Sequence, residues 1–114
     1  MKVVVLKFGG TSVGNTDRIK KVCNIIISYI KRKYKVIVVS SAMSGETNKL
    51  IKKSKEICNN FDKSEYDVLL SAGEQIACAL ISGNLIRLGY KSRSFMGWQV
   101  PILTDTNHGN SKIN

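Results

Sequence analysis

The 114-residue sequence predicts an α/β fold in which helices wrap a mainly parallel sheet. Three observations carry that expectation. Short apolar runs, Val3 to Phe8 and Val36 to Val39, alternate with longer segments of helical periodicity. Both runs are continuous and β-branched, as strands covered on both faces are. Each run leads through a polar, glycine-containing turn into a helix, the order of a βαβ unit.

The elements follow in order. Val3 to Phe8 reads as the first strand, and Gly9 to Gly14 as a turn. Ile19, Val22, Cys23, Ile26 and Ile30 then recur at helical spacing, opposite Lys20, Lys21, Asn24 and Lys31. Thr16 or Asn15 can cap that helix, and the basic run KRKYK suits its negative end. Val36 to Val39 is the second strand, and SSAMSGETN the turn after it. Leu50, Ile51, Ser54, Ile57 and Cys58 form the next helical stripe. Asp62 and Glu65 have the spacing of a capping box for a long helix from about Lys63 to Leu88, which Gly89 stops. A third short strand is expected around Lys91 to Phe95. From Gly97 the reading is loop and a short strand in WQVPILTD. A polar tail without a core of its own, expected to be poorly ordered, follows from about residue 106. No repeat or linker divides residues 1–114, so one domain is expected.

Composition narrows the function classes. The net charge of +10 permits an acidic ligand or nucleic acid, but lysines outnumber arginines 14 to 4 and alternate with apolar helix positions, as solvated faces do. There is no aromatic stacking platform, zinc spacing or recognition helix, so nucleic acid is not an expected partner. Cys23, Cys58 and Cys78 are odd in number, far apart and set in apolar helical patterns, which reads as reduced core thiols. His108 is the one histidine and has no Cys or acidic cluster beside it in sequence, so no metal site is expected. No apolar run approaches the ~20 residues of a membrane span, and the first stops at Lys7. The expected compartment is the cytoplasm, with no membrane partner.

The chemistry gathers where the two strands end. Ligands of parallel sheets lie at the carboxyl ends of the strands. Lys7 and GGTSVG stand at that end of the first strand, Ser40, Ser41 and MSGET at that end of the second. Glycines let backbone N–H groups approach a phosphate, and a following helix adds a partial positive charge. The turn has the glycine spacing of a P-loop, yet Asn15 stands where that motif needs Lys, and the G-x-G-x-x-G fingerprint is absent. A lysine that closes a buried strand needs an anionic partner. Glu74 shares a helical face with Leu70, Ala77 and Ile81, a costly place for an unpaired carboxylate. It is either a snorkelling or capped glutamate at a helix break, or an acceptor for a ligand's ammonium or hydroxyl.

These residues resemble a known family. KFGGTSVG, VVSSAMSGETN, SAGEQIACALI and GWQVPILTD come in the order and spacing of the aspartate kinases of the amino-acid kinase superfamily, from Met1 to about Asp105. The resemblance implies an αβα sandwich that moves the γ-phosphoryl of ATP, with magnesium as its counter-ion, onto the side-chain carboxylate of L-aspartate. By motif it implies that Lys7, Phe8, Gly9 and Gly10 meet the ATP phosphates, with Lys7 catalytic. Ser41 and Thr47 would contact aspartate, and Glu74 would hold its amino group. The family's kinase domain continues beyond ILTD with an arginine, a second Gly-Ser-Asp turn and the adenine-binding segment, usually followed by ACT domains. The chain resembles the N-terminal part, a truncated form expected to be inactive alone. A complementary C-terminal chain is then an expected partner, and the intact family form a homo-oligomer. The competing reading is a non-catalytic binding or interaction module that keeps the fold.

Overall fold

The computed structural model describes residues 1–114. Its elements are β1 (Val3–Phe8), α1 (Thr16–Lys31), β2 (Lys35–Ser40), α2 (Glu46–Ile57) and α3 (Lys63–Arg87). β1 and β2 pair in parallel, from Val3 opposite Lys35 to Phe8 opposite Ser40. Parallel neighbours need a crossover, and α1 supplies it. Asn15, one of the two candidate caps, starts α1: its Oδ1 accepts the Arg18 N–H at 2.9 Å. The Asp62 carboxylate accepts the Glu65 N–H at 3.0 Å at the start of α3. Gly45, at φ 82°, turns the chain into α2, and Gly89, at φ 92°, turns it out of α3.

α1 and α3 lie together on one face of the sheet. Ile19, Val22, Cys23 and Ile26 of α1 close on Phe8, Val13, Ile81 and Leu85 to form the core. Burying such an aliphatic side chain stabilises by about 1.5–3 kcal/mol. Cys23 is sealed there, its Sγ 3.6 Å from the Ile81 carbonyl oxygen; Cys58 and Cys78 are half-buried, and all three thiols are free.

Three expectations need correction. The strands are not covered on both faces: Val3 and Val5 are 57% and 60% exposed, and Ile37 and Val39 are exposed beside them. The 114 residues supply one helical layer and two strands, and nothing among them crosses to the other face. Residues 91–95 form no strand. A groove of about 760 Å³ separates them from β2, so no ladder can form, and Ser92 instead hydrogen-bonds Ser82 of α3 at 2.9 Å. Finally, α3 is long and apolar enough to cross a membrane by length and composition, with a mean hydropathy of 1.3 in its most apolar window. Its polar residues are interspersed, so no single run shows this. Ala77, Ile81 and Leu85 of α3 are buried within the protein, whereas Val68, Ile76, Leu80 and Ile86 are exposed.

The last residues fold back. Thr104 and Ile113 form an antiparallel bridge. Asp67 of α3 accepts the Gly109 N–H at 3.1 Å and lies 3.0 Å from His108 Nδ1.

Candidate functional site

The parallel register brings the two polar turns to the same end of the sheet, and direct contacts join them. The Ser41 N–H donates to the Phe8 carbonyl at 3.0 Å, extending the β1–β2 ladder past the strands. A Cβ on Gly10 would stand 3.3 Å from the Ala42 carbonyl oxygen, so glycine there lets the first turn lie against the second without a shift. Within the first turn, the Gly9 carbonyl accepts the Ser12 and Val13 N–H groups at 3.0 and 3.3 Å. The N–H groups of Gly9, Gly10 and Thr11 donate to no protein acceptor, nor do those of Ala42, Met43 and Ser44. Backbone donors of this kind at a turn are suited to an anion. A shallow polar recess of about 270 Å³ lies between the turns, lined by Thr11, Gly14, Asn15, Arg18 and Ser44.

Lys7 is exposed, and none of the three ion pairs involves it. Strand alternation puts its side chain on the bare face with Val3 and Val5, whereas Phe8 turns into the core. The burial argument for an anionic partner therefore does not hold within these 114 residues. What remains is position, a cation one residue before the end of β1 and beside free N–H groups. Ser41 is half-buried in the second turn, and Thr47 is half-buried in the first turn of α2.

Glu74 is exposed although Ala77 and Ile81, three and seven residues further along its face, are buried, so that apolar stripe is open at the level of Glu74. Its place is set by Gly73. A Cβ on Gly73 would lie 3.3 Å from the Ala42 Cβ and 3.5 Å from Leu50 Cδ1, so α3 packs here against the second turn and α2. Glu74 is thus the next residue after a tight contact with the turn that carries Ser41. Its charge and burial together push the Cys78 thiol upward, burial being the larger cause.

The structure therefore unites the two turns and brings α3 against the second of them, and it leaves Lys7 and Glu74 open to solvent. The Ala42–Gly73 contact and the recess beside Arg18 and Ser44 escaped the sequence reasoning. The small residues in SSA and SAG were the only signal for that contact.

The donors suit a phosphate-like anion: consecutive free N–H groups, an unpaired cation and a polar recess. No cluster of three His, Cys, Asp or Glu side chains is present, so these residues offer magnesium no cage of their own.

Comparison with known proteins bears on this end of the sheet. The model of the amino acid kinase family matches residues 2–113. The chain is 45% identical over 113 residues to an aspartokinase of Geobacillus stearothermophilus, covering 99% of this chain and 28% of that protein. It is 46% identical over 116 residues to an aspartokinase of Rickettsia felis, covering 99% and 29%. The crystal structure of aspartate kinase from Synechocystis superposes with a TM-score of 0.73 at 40% identity, covering 75% of this chain and 15% of that one. The chain thus spans less than a third of the length of the curated relatives it matches.

Proposed function

Because the chain belongs to the amino acid kinase family, we propose that its two joined turns form one wall of an aspartate kinase site. That site would transfer the γ-phosphoryl of ATP to the side-chain carboxylate of L-aspartate, a step toward lysine, threonine and methionine. The observation that carries the reading is the run of free N–H groups at Gly9, Gly10 and Thr11, beside Lys7 and joined to the Ser41 turn.

The chemistry asks for little beyond charge and position. Aspartate, with a pKa of about 3.9, is an ionised nucleophile at neutral pH and needs no general base. The transferred group passes through a loose, metaphosphate-like transition state, so neutralisation and in-line placement dominate. Lys7 and the backbone donors of Gly9 and Gly10 would neutralise the phosphates, with Phe8 fixing the strand end in the core. Ser41 and Thr47 would seat the amino acid's polar groups, and Glu74 would accept its ammonium. Magnesium would arrive on the ATP phosphates and supply further neutralisation there. No residue of the chain faces Lys7 across the bare sheet face, so the 114-residue chain alone is not expected to turn over. A complementary polypeptide would supply the other wall.

Amide NMR of the chain tests this directly. Millimolar ATP should shift the amides of Gly9, Gly10 and Thr11 first, and L-aspartate those of Ser41 and Thr47. Shifts confined to the basic KRKYK end of α1 would mean nonspecific charge binding and would overturn the reading.

A further inference from the structure

We propose that Ala42 is a positioning residue, the spacer that fixes how far the phosphate turn stands from the residues that hold aspartate; this rests on the kinase reading above. Three segments meet at Ala42. Its carbonyl oxygen lies 3.3 Å from where a Gly10 Cβ would stand, so its backbone abuts the first turn. Its own Cβ lies 3.3 Å from where a Gly73 Cβ would stand, so its methyl abuts α3. The same point on Gly73 is 3.8 Å from the Cβ of Glu46, the first residue of α2. Ala42 is 6% exposed and Gly73 is buried, so the methyl contact is internal to the chain.

Chain neighbours give these contacts their consequence. Ser41 precedes Ala42, Thr47 follows Glu46 and Glu74 follows Gly73. Each residue assigned to aspartate is thus peptide-bonded to a member of one close-packed contact. Gly10 meets Ala42 from its other side. A carbon added at Gly73 would already stand inside the separation of about 3.5–4.0 Å at which carbon atoms attract best. The gap between α3 and the second turn is therefore one methyl wide, and Ala42 fills it. The two sides differ in kind. The phosphate turn rests on the Ala42 backbone, whatever side chain that residue carries, whereas α3 rests on the side chain itself. A larger side chain at residue 42 should therefore move Glu74 and spare the phosphate turn.

Two readouts test the spacer. In the chain itself, amide NMR should show Ala42→Val shifting Gly73 and Glu74 while Gly9 and Gly10 keep their positions. In a graft of the chain onto the rest of the Geobacillus stearothermophilus aspartokinase, Ala42→Val should raise the KM for aspartate and leave that for ATP unchanged. The rise should be about tenfold to a hundredfold, since a misplacement of about 1 Å can cost a hundredfold. The exchange of Ala42→Gly with Gly73→Ala carries the methyl to the other side of the gap. It should fold and return the aspartate KM close to the parent's, which keeps the test decisive if Ala42→Val does not fold. An unchanged aspartate KM, an equal rise for both substrates, or an exchange that leaves the KM raised overturns the proposal. A parent graft without aspartate-dependent turnover sinks the kinase reading instead. The amides then decide: a Glu74 amide that ignores Ala42→Val overturns the spacer, and one that moves while Gly9 and Gly10 stay supports it.

Discussion

Gly73 and Gly83 are both interior to α3, and they should respond differently to the same substitution. Replacing a mid-helix glycine by alanine gains about 1 kcal/mol of helix propensity wherever there is room. At Gly83 a new Cβ meets nothing within 4 Å, so Gly83→Ala should stabilise by about that amount. At Gly73 the new Cβ would press on the Ala42 Cβ at 3.3 Å and Leu50 Cδ1 at 3.5 Å, offsetting much of the gain. A larger side chain removes the ambiguity. Gly83→Leu retains the propensity gain, whereas Gly73→Leu must push α3 off the second turn, an overpacking cost of about 1–3 kcal/mol. The two leucine variants should therefore differ by roughly 1–3 kcal/mol, the overpacking cost, since the propensity gain is common to both positions and cancels. Urea unfolding followed by helix circular dichroism reads the difference. If Gly73→Leu proves as stable as Gly83→Leu, α3 does not rest on the Ser41 turn, and the placement of Glu74 fails with it.

Ile26 is 1% exposed at the centre of the α1 face, so Ile26→Ala should cost about 2–5 kcal/mol in the same assay. Glu74→Gln, in a catalytically competent assembly, should weaken aspartate about tenfold to a hundredfold and spare ATP, because a charged hydrogen bond is worth about 1.5–3 kcal/mol. Equal losses for both substrates would return Glu74 to a structural role. The Ser64 hydroxyl and Glu65 N–H, together with a smaller pull from His108, hold the Asp62 carboxyl below the usual carboxylate range. Its contribution is therefore present above about pH 4 and fades as pH falls through its lowered folded-state value. Asp62→Asn should accordingly flatten the acid limb of a melting-temperature profile, and an unchanged limb would refute that linkage.

How much of this was legible beforehand depends on range. α1 and α3 were readable because their signals are local: the periodicity from Ile19 to Ile30, the caps Asn15 and Asp62, and the stop at Gly89. The joining of the two turns was readable as well, since parallel strands must end together. The exposure of Lys7, Val3 and Val5 was not, because a continuous β-branched run implies two covered faces without saying which residues cover them. Glu74 misled for a related reason. Its helical neighbours Ala77 and Ile81 are buried as the spacing implied, but the face is open at Glu74 itself, and helical spacing does not say how far along a stripe the cover extends. The strand expected at residues 91–95 failed because a strand exists only where a partner lies within ladder distance.

The most direct measurement grafts this chain in place of the matching 113 residues of the Geobacillus stearothermophilus aspartokinase and follows ATP consumption with and without L-aspartate. A soluble graft with native-like circular dichroism should consume ATP in an aspartate-dependent manner. Lys7→Met in the same graft should abolish that activity and leave the melting temperature unchanged, because the side chain is exposed and unpaired. A folded graft without aspartate-dependent turnover, or one whose rate survives Lys7→Met, would contradict the assignment of these turns to phosphoryl transfer.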